Sequence, residues 1–332
     1  MPMGQLTQVL RDVNPESDPR LLVGPQTIDD AGVVLLGQAD GLEKGVALVQ
    51  TVDYFPPVLD DPYLYGAVAA ANSLSDVYAM GGRPISVLNI AGFPKEFDPG
   101  WTREIFRGGF DKVRESGAVI AGGHTVQSPE PMFGFACTGV VDVQSVAANA
   151  GAQPGDRVYL TKPLGMGTMT TAGKFGKAPA EAVREAALVM ATLNGAAAEA
   201  MGVVGVNAAT DVTGFGLVGH ARNVAAASGV TVCFDTTALP IFPGALELAR
   251  DGVVSGGSGR GKAALGEVVR IDPGVDQAIV DICFDAETSG GLLIFVAEAK
   301  SSALEAELSA RSVPVQAVGH VQPGGDHVIA LS

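Results

Sequence analysis

Strand and helix signals alternate along the whole 332-residue chain, and this alternation restricts the fold more than any other feature. Residues 32–37 and 45–52 read as strands, and residues 64–80 as a helix closed by Gly81-Gly82 and then Pro84. "ISVLNIAGF" is a strand, and "DPGWTREIFRGGFDKVRESG" is a helix with Asp98 at its cap and Pro99 in its first turn. "AVIAGG" and "PMFGFACTGVVDV" are strands again. A turn-rich break over 150–165 precedes a fresh strand, an Ala-rich helix over 179–201, a strand into "DVTGFG", a helix from about Leu217 and strands around "GGLLIFVA". The expected class is α/β (α+β). A chain of this length exceeds one ordinary core, so two domains are expected, residues 1–150 and 151–332.

Charge narrows the partners. The formal net charge of −15 disfavours nucleic acid and anionic membranes, although a polyphosphate remains reachable when metal ions stand between the two sets of negative charge. The three cysteines, Cys137, Cys233 and Cys283, lie scattered in apolar contexts and form neither a metal-binding pair nor a disulfide framework. The start, "MPMGQLTQVLRDV", lacks the pattern of a secretory signal, so a cytoplasmic location is expected. The apolar stretch 185–206 carries Asn194 and Glu199 and does not read as a membrane span.

Five aspartates share one placement. Asp29 and Asp30 stand side by side in "TIDDAGVVLL", Asp53 closes the strand "VALVQTVD", and Asp211 opens "DVTGFGLVGH". Asp76 lies four residues after Asn72 in the 64–80 helix, on a face that is otherwise small and apolar, with no Lys or Arg within a turn. Any one of these acids reads equally well as a cap or a turn residue, and Asp60 and Asp61 read as turn chemistry before Pro62. Taken together, carboxylates without His or Cys partners suggest a hard divalent cation, Mg²⁺, beside a nucleotide. Glycine-rich turns are the second group. "AGGHTVQSPEP" follows a strand, and its backbone N–H groups could cradle phosphate, with His124 either a donor or a loop histidine. "TKPLGMGT" and "ETSGGLL" read as tight turns or further cradles, and His220 as a donor or helix packing. No P-loop is present, and no catalytic side-chain triad can be assembled.

The blocks "LLVGPQTIDDAGV", "QTVDYFPPVLDDPYLYGAVAAANSLSDVYAMGG", "AGGHTVQSPEPMFGFACTGVV", "LTKPLGMGTMTTA", "ATDVTGFGLVGH" and "DAETSGGLL" resemble, in order and over nearly the whole chain, the selenophosphate synthetase (selenide, water dikinase) family. The long "TVDYFPP…SDVYAMGG" block is specific to it. The shorter aspartate motifs occur also in related ATP-using enzymes of purine synthesis, thiamine-phosphate phosphorylation and hydrogenase maturation. The resemblance implies the two-domain fold of the aminoimidazole ribonucleotide synthetase-like ATP-binding superfamily, with a homodimer formed through the first domain. It implies conversion of ATP, selenide and water to selenophosphate, AMP and phosphate. Mg²⁺ ligands would fall on Asp30, Asp76 and Asp211. Nucleotide contacts would fall on Thr27, Asp29, Asp53, Asp76 and the Gly122-Gly123-His124 segment. The alternative in the same superfamily is a non-catalytic ATP-binding relative acting through partners.

Two departures accompany the resemblance. The family's reactive cysteine or selenocysteine, with its nearby lysine, aligns just upstream of Met1. The expectation is that an in-frame UGA precedes this start and that the chain as given binds nucleotide but makes little selenophosphate. In "SGGSGRGKA" Gly261 follows Arg260 where the family usually carries an asparagine, so no role for the 255–262 loop follows from the resemblance.

Overall fold

The computed structural model describes residues 18–24, 28–326 and 328–332. Thr27 and the front end of the chain lie outside them. The first sheet contains β1 (Leu21–Val23), β2 (Gly32–Leu36), β3 (Val46–Phe55), β4 (Arg83–Phe93), β5 (Val119–Gln127) and β6 (Met132–Val141). Its order is β1-β2-β3-β6-β4-β5, antiparallel throughout except for the parallel pair β4–β5. The second contains β7 (Asp156–Leu160), β8 (Ala208–Asp211), β9 (Val230–Phe234), β10 (Val269–Ile271), β11 (Leu292–Ala297), β12 (Gln316–Pro323) and β13 (Ile329–Leu331). Its order is β10-β13-β9-β12-β7-β11-β8. Both sheets mix parallel and antiparallel pairs, so the chain is α/β in composition and α+β in connection.

Helix α1 (Pro62–Ala79) joins the two halves. Asp61 caps it, accepting from the Leu64 N–H at 3.0 Å, with Pro62 in the first turn. Every residue from Leu64 to Ala79 is buried, and most are small, so neighbours close in on all sides. One face packs on the first sheet beside Phe133 and Phe135. Another meets Met166 and Met169 of α3 (Met166–Lys174) and Ala186, Ala187 and Met190 of α4 (Ala180–Met190). Against α2 (Pro99–Glu115) the contact is backbone to backbone. A Cβ on Gly66 would sit 1.9 Å from the Ile105 carbonyl oxygen, and one on Gly108 1.9 Å from that of Tyr63. Asp98 caps α2, accepting from the Gly100 and Trp101 N–H groups.

The expected single helix over 179–201 is broken at 191–194 into α4 and α5 (Gly195–Val204). Asn194 sits at the break and spends its amide across the domain boundary, donating to Ser75 Oγ and to the Gly290 carbonyl, both at 2.9 Å. The composition of 180–204 would suit a span. Each piece, however, is only about 16 Å long at ~1.5 Å per residue, against a hydrocarbon core of about 30 Å. Two strands also differ from expectation. β3 runs past Asp53 to Phe55, and β5 runs on beyond the expected "AVIAGG" to Gln127, so that Gly122-Gly123-His124 lie in a strand rather than a turn.

Candidate metal and nucleotide site

Four carboxylates converge where the first sheet meets the second. Asp30 precedes β2, Asp53 lies in β3, Asp76 is in the last turn of α1, and Asp211 ends β8. Asp76 and Asp211 are buried and Asp30 is partly so, and the charges of the three act on one another. Burial, then the Asp211 charge, holds the Asp30 and Asp76 carboxyls well above the usual carboxylate range. Burial pushes Asp211 up to about 6 and raises Asp53 as well. Asp30 Oδ2 and Asp211 Oδ2 are buried with no hydrogen-bond partner among the described residues. Like charges gathered out of water, with unpaired oxygens left over, are costly unless a cation completes them.

Neighbouring polar side chains orient the carboxylates. Thr51 Oγ1 donates to Asp76 Oδ2. Asn72 Nδ2 donates to Asp53 Oδ2 at 2.7 Å, while Asn72 Oδ1 accepts the Ser289 N–H at 3.0 Å. Thr210 Oγ1 donates to Asp30 Oδ1 at 2.9 Å. Ser75, which accepts the Asn194 amide at 2.9 Å, lies near enough to Asp211 to favour its ionised form against burial. Such second-layer contacts fix ligand orientation in metal sites. The free oxygens on Asp30 and Asp211, and the all-carboxylate makeup, fit a hard divalent cation.

Asp29 is brought close but turned elsewhere: its Oδ1 accepts the Asn149 N–H at 2.5 Å, while Asn149 Nδ2 donates to the Ile28 carbonyl at 2.8 Å. Gly122, Gly123 and His124 are not brought to the cluster. Asp53 pairs through Phe135 and Asn89 to Gly123, so β6 and β4 lie between them. Three strand spacings make roughly 14 Å. The two glycines are required by the strand itself. Gly122 has φ 143°, and a Cβ on Gly123 would lie 2.3 Å from the Asn89 carbonyl oxygen.

The other glycine-rich segments pack on each other. Glu287 accepts the Gly165 and Met166 N–H groups at 2.6 and 2.9 Å, and Asp285 accepts that of Thr168 at 2.6 Å. Together they cover the N-terminus of α3, where burial and the Asp285 charge push Glu287 up to about 8. Sequence reasoning missed Lys162 in "TKPLG". Its Nζ is buried, donates to the Ser289 carbonyl at 2.9 Å, and is lowered to about 7 by burial, with the Asp211 charge opposing. Ser289 sits at φ 57°, a strained conformation pinned from both sides by Asn72 and Lys162. The signal for Lys162 was only a lysine beside a Gly-rich turn.

Residues 28–141 match the family described as AIR synthase related protein, N-terminal domain, and residues 153–332 match its C-terminal domain. A crystal structure of a Thermus thermophilus protein shares the fold at TM-score 0.75 and 21% identity, covering 99% of this chain and 96% of that one. A hydrogenase maturation protein in complex with ATP does so at TM-score 0.66 and 18% identity, covering 97% and 88%. The selenide, water dikinase of Caldanaerobacter subterraneus subsp. tengcongensis is 48% identical over 92% of this chain and 86% of its own length. That of Nitratidesulfovibrio vulgaris strain Miyazaki F is 43% identical over 97% and 92%. Identity at this level over nearly all of both chains, on the same two-domain fold, places the chain in the selenide, water dikinase family.

Proposed function

We propose that the chain makes selenophosphate, AMP and phosphate from ATP, selenide and water, with Mg²⁺ held by Asp30, Asp76 and Asp211. The observation that carries this reading is the set of three converging carboxylates, two of whose oxygens are buried without a hydrogen-bond partner among the described residues. The name of the relatives supplies the substrate class, and nothing in the site favours a non-catalytic relative. The metal, when bound, neutralises charge on the triphosphate. The chain's own residues do the rest. Thr51, Ser75, Thr210 and Asn72 hold the carboxylate planes, so no ligand has to be reoriented as the nucleotide enters. Lys162 brings a buried amine to the second-domain side of the cluster, its charge favoured by Asp211 and opposed by burial.

The nucleotide contacts in this reading are Thr27, Asp29, Asp53 and Asp76 from one copy. Gly122-Gly123-His124 come from the other copy of a homodimer built on the first sheet. The roughly 14 Å between Asp53 and Gly123 within a chain supports that division, as does an outer sheet face on which Val52, Tyr54, Leu88 and Val126 are each about half exposed. The buried free thiols of Cys137, Cys233 and Cys283 suit a reducing cytoplasm. Calorimetric titration of ADP in the presence of Mg²⁺ tests the site. Asp30→Asn, Asp76→Asn and Asp211→Asn should each weaken the Mg²⁺-dependent affinity at least tenfold, and unchanged affinity in all three sinks the reading.

A further inference from the structure

His220 lies with Asp30 and Asp211, and ligand atoms of all three fall within 4.8 Å of one another. That closeness admits two roles for the histidine. It could be a nitrogen ligand to the cation, or it could act through a neighbour.

The hydrogen bonds decide between them. The backbone N–H of Thr213 points at His220 Nε2 at 3.1 Å. A backbone amide only donates, so Nε2 must present its lone pair there. The ring is 6% exposed, and with Nε2 unprotonated it is the neutral imidazole. Its single proton therefore sits on Nδ1, which faces Thr210 Oγ1 at 3.5 Å. Neither nitrogen keeps a lone pair for a metal. With the imidazole N–H directed at its oxygen, Thr210 turns its own proton elsewhere. Two acceptors are in reach, Asp30 Oδ1 at 2.9 Å and the Asp211 carbonyl at 3.1 Å. The closer one bears charge when Asp30 is ionised, and a charged acceptor makes the stronger bond.

We infer that His220 and Thr210 are positioning residues for Asp30: a relay from His220 Nδ1–H through the Thr210 hydroxyl engages Asp30 Oδ1 and leaves Oδ2 as the oxygen that meets the cation. The unpaired Asp30 Oδ2 is the second observation that points the same way. Helix α6 (Gly216–Ser228) sets the ring. Phe215 stands 5.6 Å from it, centroid to centroid, and Gly219 lets the phenyl close in, since a Cβ there would lie 2.5 Å from Phe215 Cβ. The "DVTGFGLVGH" segment thus serves the site through its far end as well as through Asp211. This inference rests on the metal reading of the cluster.

Two experiments test it. In wild-type protein labelled with ¹⁵N-histidine, without metal at pH 7.5, His220 should show the neutral Nδ1–H tautomer. An Nε2–H tautomer or an imidazolium overturns the relay, and this measurement needs no variant to fold. The second experiment is Mn²⁺ titration followed by electron paramagnetic resonance. Thr210→Val should weaken Mn²⁺ binding about tenfold, the usual scale for losing a second-layer partner, while Thr210→Ser, which keeps the hydroxyl, should stay within twofold. Affinity unchanged in Thr210→Val but lost in Asp30→Asn sinks the relay alone. Affinity unchanged in Asp30→Asn as well sinks the metal site itself, and the relay with it. A directly coordinated imidazole nitrogen in the spin-echo spectrum of the Mn²⁺ complex also overturns it.

Discussion

Asp211 shows what the site costs the fold. Its carboxyl is pushed from an ordinary 3.8 to about 6, so the folded chain holds that proton longer than the unfolded chain does. Metal-free stability is therefore full below about pH 4 and is lost as the pH rises through 6, by about 3 kcal/mol from this residue alone. His220 acts oppositely: buried and neutral, lowered to about 4, it takes stability away as the pH falls from 6.5. Comparing a variant with the wild type separates the two. Without metal at pH 8, Asp211→Asn should be more stable than wild type by about 1–3 kcal/mol in urea denaturation, and should gain almost nothing from Mg²⁺, which stabilises wild type by binding only the folded state. A variant less stable than wild type under those conditions would mean that Asp211 is already compensated. The acids were legible in the sequence because each stands at the mouth of an element or on a small apolar face. Their holders were not. Thr210 and Asp30 are 180 residues apart, and a threonine carries no mark of the carboxylate it will meet.

At the scale of elements, α1 decides where Asn72 and Asp76 sit. Its end was readable from the Gly81-Gly82 pair, but its start was not: Asp61, read as a turn residue, is the cap, and the helix begins two residues earlier than expected, at Pro62. The requirement that α2 lie against it backbone to backbone was not readable, because a glycine in a helix can equally be a tolerated weakness. Gly108→Ala tests that contact: its Cβ would be forced to within 1.9 Å of the Tyr63 carbonyl oxygen. The expected loss is about 3 kcal/mol by chemical denaturation. Mg²⁺ affinity should fall too, because α1 must shift and carry Asp76 with it. Unchanged stability would show that the helices separate without strain. Strand β5 was misread for a related reason. A glycine pair ordinarily marks a turn, yet here it lets two strand backbones approach, which depends on Asn89 some 34 residues earlier.

For the whole molecule, the open question is what covers the first sheet. One face is sealed by α1 and α2, while the other presents Val52, Tyr54 and Leu88 on adjacent register lines, with the edge strand β5 exposed along most of its length. An apolar sheet face and an edge strand with no outer neighbour among the described residues together invite association. A second copy would cover the face and also bring the absent Gly122-Gly123-His124 segment toward a nucleotide. Sedimentation at micromolar concentration should therefore give two chains. Tyr54→Asp combined with Leu88→Asp should give a folded monomer, since both side chains point to solvent in the single chain and their loss empties no core. That monomer should keep its Mn²⁺ affinity, because Asp30, Asp76 and Asp211 all belong to one chain, yet bind Mg²⁺-ADP at least tenfold more weakly. A wild-type chain that stays monomeric at high concentration would defeat the dimer. A monomeric variant with full nucleotide affinity would return the whole site to a single chain and leave β5 without a part in it.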